Sequence, residues 1–174
     1  MKYSDIYRLY STSQPKDAIH QALREVPVDD SDEQYEDRSP LHLACQYGDT
    51  EGVKILLERD AEPNTKDANG STPIHILGRT SAGCADEDKL KEIAVMLIEQ
   101  GANIPRSAKN TTALIECIRN RHFKMAEAII DSGARVNSTD LNGENVLFGF
   151  CAASGDIRRD IRFAKKELDE SVQY

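Results

Sequence analysis

The 174-residue sequence has no tryptophan, only six tyrosines and four phenylalanines, and few long apolar stretches. The longest apolar run, Ile93 to Ile98, is far short of the roughly 20 residues a membrane helix needs. The N-terminal stretch MKYSDIYRLYSTSQPKD holds no apolar segment of signal-peptide length. Four cysteines are scattered without close pairs, and neither C-x-x-C nor H-x-x-x-H occurs, which argues against zinc and for a reducing compartment. Positive charge is also short. A formal net charge of -8 disfavours a polyanion such as nucleic acid as main partner, because phosphate recognition needs clustered Lys and Arg. The expectation is a cytoplasmic monomer with no cofactor, no membrane and no nucleic-acid partner.

Enough apolar material remains for a thin core. At 39% hydrophobic and 30% charged, the chain suits a layered array better than a thick globule. Self-similarity confirms that direction. SPLHLACQYGD (Ser39 to Asp49) returns as TPIHILGRT (Thr72 to Thr80), as TALIECIRN (Thr112 to Asn120) and most weakly as NVLFGFCAASGD (Asn145 to Asp156). The leading aliphatics Leu41, Ile74, Leu114 and Leu147 stand 33, 40 and 33 residues apart. Each copy is followed by a second apolar-periodic segment, such as GVKILLERDAEPN or KMAEAIIDSGARVN. TKDANGS and STDLNGE add turn chemistry.

Each unit therefore reads as turn, helix, helix. Ser39 or Thr72 opens the first helix, with Pro40 or Pro73 at a position whose missing N–H costs nothing. Gly101 and Gly133 end second helices in the left-handed conformation, and Asp60 takes that place in the first unit. One unit cannot bury its apolar face alone, whereas several stacked units can.

The S/T-P-L/I-H start, the 33-residue period, GAN after the second helix and the DANG turn resemble the ankyrin repeat, whose signature is T-P-L-H-x-A. The resemblance spans roughly residues 34 to 156. It implies an all-α ankyrin-repeat solenoid of about four repeats. N-terminal capping helices are placed at 1–33, repeats at 34–66, 67–106 and 107–139, and a fourth repeat with C-terminal cap at 140–174. Ile19, Ala22 and Leu23 of the cap would lie against the first full unit. The third and fourth copies lack both the Pro and the His of the motif.

The resemblance also implies a function. Such arrays bind other proteins on a concave face made of turn fingers and first helices, so the chain is expected to be an adaptor or stoichiometric inhibitor and not an enzyme. The positions carried onto that face are Tyr35, Arg38, Gln46, Tyr47, Asn69, Ser71, Arg79, Lys109, Arg119, Asn120 and Asn142. Tyr and Arg most often anchor interfaces, which favours Tyr47, Arg79 and Arg119, with Tyr35 behind them. The acidic run DDSDEQYED (Asp29 to Asp37) reads either as a solvated connector or as a rim that steers a basic partner.

Other candidate chemistry is weaker. His42 and His75 hold the same place in successive units, where the family's His bonds the Ser or Thr at the helix start. His20 and His122 have no acid or nucleophile at a suggestive spacing. Cys45, Cys117 and Cys151 fall at small-residue places of first helices, as buried thiols do. Cys84 lies in a polar insertion, TSAGCADED, that lengthens the second unit between its helices, and Asp86 to Asp88 there could cap the following helix. A metal- or thiol-dependent enzyme using Cys84 and the histidines is one alternative. Nucleic-acid binding through the basic segment Arg158 to Lys166 is another.

Overall fold

The computed structural model describes residues 1–80, 86–103 and 112–134, and all its regular elements there are helical. The expected fourth unit, 140–174, lies outside the described residues, as do Cys84 and Cys151. The helices are α1 (Tyr3–Ser11), α2 (Lys16–Glu25), α3 (Pro40–Gln46), α4 (Thr50–Leu57), α5 (Pro73–Gly78), α6 (Glu87–Glu99), α7 (Ala113–Arg119) and α8 (Phe123–Asp131). They form two rows: α1, α3, α5 and α7 pack each on the next, and so do α2, α4, α6 and α8.

The first helices are short because they are sandwiched. Every residue of α3 from Pro40 to Cys45 is buried, and every residue of α5 is buried. Side chains that small and apolar let neighbouring units approach, and each buried Leu or Ile contributes roughly 1.5–3 kcal/mol relative to exposure. The second helices bury one stripe only, Val53, Ile55 and Leu56 in α4 and Met125, Ala126 and Ile129 in α8. In α6 the insertion extends the helix to 13 residues against 8 in α4. Asp86 is its N-cap, its carboxylate accepting the Asp88 N–H at 3.0 Å, with Glu87 and Asp88 completing an acidic first turn.

Helix starts use two solutions. In α3, Nδ1 of His42 receives the Ser39 N–H at 3.2 Å and lies 2.9 Å from Ser39 Oγ. His75 repeats this with Thr72 Oγ1 at 2.9 Å. In α7, Ile115 stands where the His would be, and Thr112 Oγ1 accepts the Ile115 N–H directly at 3.2 Å. Helix ends use left-handed residues: Asp60 (φ 60°), Gly101 (φ 83°) and Gly133 (φ 90°) after the second helices, Gly48 (φ 59°) and Arg121 (φ 65°) after first helices.

The N-terminal pair is pinned by polar groups as well as by Ile19, Ala22 and Leu23, all buried. Asp49, which precedes α4, is 5% exposed. It accepts the Tyr10 hydroxyl at 2.8 Å, and both its oxygens lie 3.0 Å from His20 Nε2. Arg59 donates to the carbonyls of Leu23 and Val26, the latter at 2.8 Å, satisfying acceptors left open at the end of α2.

Four outcomes follow for stability in urea. Arg121→Gly relieves a left-handed L-residue and raises stability by about 0.5–1 kcal/mol, Asp60→Gly by less, and Gly101→Ala lowers it by about 1 kcal/mol. At Gly52 an added Cβ would stand 2.7 Å from Asp49 Oδ2 and 2.9 Å from the Tyr10 hydroxyl. Gly52→Ala therefore destabilises by about 1–3 kcal/mol, as overpacking against a hydrogen-bonded group does.

Candidate protein-binding face

The expected face comprises the fingers and the ends of the first helices. The finger of the second unit folds around Asp67, whose Oδ1 accepts the Asn69 N–H at 2.9 Å and the Ser71 N–H at 2.8 Å, with Gly70 left-handed (φ 68°). The first unit lacks this Asn-Gly chemistry. Its finger is a single 3-10 turn, Glu33–Tyr35, capped by Asp32, and left-handed residues Glu36 and Asp37 follow. The acidic run is thus the first finger itself. The two fingers are joined by the Ala68 N–H donating to the Glu36 carbonyl at 2.8 Å.

A clamp recurs between each finger base and the end of its own first helix, eight residues on. Arg38 Nη1 donates to Gln46 Oε1 at 2.8 Å, and Arg79 Nη2 donates to Ser71 Oγ at 2.9 Å. The units are also tied across: His42 Nε2 donates to the Ser71 carbonyl at 3.0 Å, Arg79 Nε to Glu116 at 3.1 Å, and the Asn120 amide to the Gly78 carbonyl at 3.0 Å.

This placement sorts the sequence candidates. Tyr47 is 38% exposed and stacks on Tyr10, ring centroids 4.8 Å apart. Arg119 is exposed at the end of α7. Tyr35, Arg38, Gln46, Asn69, Arg79 and Asn120 are half-buried. Ser71 departs from expectation: it is fully buried, its N–H, hydroxyl and carbonyl all engaged within the array. Thr80 is likewise buried. Both hold the scaffold and present nothing to a partner. Lys109 and Asn142 lie outside the described residues.

What sequence reading missed is aromatic. Tyr3, Tyr7 and Tyr10 recur at the i, i+4 and i+7 spacing of one face of α1, a signal available in the sequence. Tyr35 lies 4.2 Å from the Tyr7 ring and 5.7 Å from that of Tyr3. A cavity of about 200 Å³ opens among Tyr3, Tyr7, Tyr35, Gln34, Glu36 and Gln46, with Arg38 beside them. His20 also had an acid partner that spacing could not reveal, since Asp49 lies 29 residues on. His122, at the place equivalent to Asp49, donates its Nε2–H to the Thr80 carbonyl, 2.6 Å away.

Chemistry elsewhere is quiet. Burial pushes the Cys45 and Cys117 thiols well above their ordinary range, so both are inert packing groups. Among the described residues no group of three or more His, Cys, Asp or Glu stands together to hold a metal, and no helix is long and apolar enough to cross a membrane.

Stacked helix pairs, with turn fingers and a His-to-Ser/Thr bond at the start of first helices, define a repeat solenoid. Residues 22–77 match the family described as "Ankyrin repeats (many copies)". Relatives include the Neurogenic locus notch homolog protein 1 of Mus musculus, 31% identical over 76% of this chain and 5% of that protein. The Ankyrin repeat protein nuc-2 of Neurospora crassa is 29% identical over 70% of this chain and 10% of its own length. A Transient receptor potential cation channel subfamily A member 1 homolog from Caenorhabditis elegans is 38% identical over 40% of this chain and 6% of its own. The chain belongs to the ankyrin-repeat family, whose repeats are protein–protein interaction modules. It spans a tenth or less of the length of these relatives.

Burial predicts a pH dependence. Desolvation lowers the His42 pKa below its ordinary value of 6.5. Below about pH 6.5 the unfolded chain takes up a proton that the folded chain refuses, so the unfolded state binds more protons and stability falls as pH falls. One such site contributes a slope of up to about 1.4 kcal/mol per pH unit. Urea midpoints recorded from pH 7.5 down to 5.5 should decline, and His42→Gln should flatten the decline.

Proposed function

We propose that the chain is a binding module that grips a partner protein on its concave finger and first-helix face, as an adaptor or a stoichiometric inhibitor. The observation carrying this reading is Tyr47: besides Met1 it is the one large apolar side chain exposed among the described residues. It is the C-cap of α3, in the unit that carries the acidic first finger, and Arg79 and Arg119 stand at the ends of the following first helices. Tyrosine and arginine are the residue types that most often anchor an interface centre.

The partner proposed carries a basic patch. Six carboxylates (Asp29, Asp30, Asp32, Glu33, Glu36 and Asp37) crowd the first finger, and their field would speed encounter with a cationic surface. Acting as inhibitor or as adaptor is then a matter of what the face covers on the partner. If docking silences the partner's own activity, the module is an inhibitor.

The test is affinity for a partner captured from the native cell and then purified, measured by calorimetry. Tyr47→Ala combined with Arg119→Glu weakens binding more than tenfold, about 1.4 kcal/mol. Lys91→Ala with Glu127→Ala, an ion pair on the second-helix row, leaves it unchanged. Unaltered affinity in the first double variant would falsify the assignment of this face.

A further inference from the structure

Tyr3 is 1% exposed, yet its hydroxyl has no hydrogen-bond partner among the described residues. A buried hydroxyl left unbonded is costly, and folded proteins rarely tolerate one without a use. Tyr3 lines the cavity of about 200 Å³ between α1 and the first finger. The same cavity is walled by the rings of Tyr7 and Tyr35, which stand 4.2 Å apart, and edged by the Gln34 and Gln46 amides and the Glu36 carboxylate.

Arg38 is the cavity's own cation, and its charge is already answered. Its terminal nitrogens donate to Glu36 and Gln46, and its Nε lies 3.7 Å from the fully buried Asp67 carboxylate. Arg38 is also the only base in the stretch from Asp29 to Arg38, against six carboxylates. The opening therefore presents aromatic faces, the Gln34 amide and the Glu36 carboxylate, with the buried Tyr3 hydroxyl in its wall and Gln46 Oε1 already held by Arg38.

From this geometry we infer that the cavity is a receptor for a single arginine side chain of the partner protein, an inference that rests on the protein-binding reading above. A guanidinium is flat enough to lie against tyrosine rings and offers five N–H donors in a fixed fork. Tyr3 Oη, Gln34 and Glu36 are the acceptors such a fork needs, and docking would supply the bond that the Tyr3 hydroxyl lacks. A trimethylated lysine carries charge but no donor and would leave that hydroxyl unsatisfied. A lysine ammonium has donors but no plane to stack.

The probes are four capped peptides, Gly-Ser-X-Ser-Gly, with X arginine, lysine, trimethyllysine or citrulline. With only six tyrosines in the chain, each can be followed by fluorine NMR of protein carrying 3-fluorotyrosine, assigned through single Tyr→Phe variants. The arginine peptide should shift the Tyr3, Tyr7 and Tyr35 signals saturably, and each of the other three should bind at least fivefold more weakly. Tyr3→Phe keeps the ring and removes the idle hydroxyl, so folding stability should hold or rise while arginine affinity falls at least fivefold. Glu36→Gln should weaken arginine binding as well. Equal binding of arginine and citrulline, no saturable shift at millimolar peptide, or undiminished binding by Tyr3→Phe each overturns the proposal.

The wider reading fails differently. If Tyr3→Phe and Glu36→Gln retain full affinity for the purified partner while Tyr47→Ala with Arg119→Glu does not, the arginine receptor falls and the binding module stands. If the peptide effects hold but the Tyr47 and Arg119 pair proves neutral, the receptor stands and the larger face falls.

Discussion

The structure depends on adjacency: no helix pair here can shelter its apolar side without the pair beside it. Residues 40–45 of α3 are buried because α1 and α5 lie on either side, and α5 is buried because α3 and α7 do. The polar bonds follow the same rule. His42 reaches forward to the carbonyl of Ser71, Arg79 forward to Glu116, and Asn120 back to Gly78. Stability in such an array is a sum of unit and neighbour terms, so each interface matters to the units next to it and little beyond.

The same dependence shows in the N-terminal pair, α1 and α2. Its hold on α3 and α4 combines buried Ile19 and Leu23 with three polar attachments: Tyr10 to Asp49, His20 to Asp49, and Arg59 to the end of α2. The cost is a crowded junction in which position 52 has room for hydrogen alone.

Much of the architecture was legible because it is repetitive. The Ser/Thr-Pro-x-His starts fixed the role of His42 and His75, and left-handed Asp60, Gly101 and Gly133 stand where the helix ends were read. Asp86 caps α6, as its charge and place allowed. What could not be read were contacts formed once. No periodicity links Asp49 to Tyr10 or His20 across 39 and 29 residues. Ser71 looked like a finger tip because only the folded finger reveals that Asp67, Arg79 and His42 all claim it. The tyrosines of α1 lay on one face by spacing, yet their company with Tyr35 depends on how the first finger turns.

The clamp of Arg38 on Gln46 and of Arg79 on Ser71 has a kinetic consequence. It ties each of the first two fingers to the buried first helix of its own unit. An incoming protein then meets a surface whose shape is already set, and little freedom is lost on contact. Dissociation, rather than a slow rearrangement on arrival, becomes the step on which lifetime is tuned.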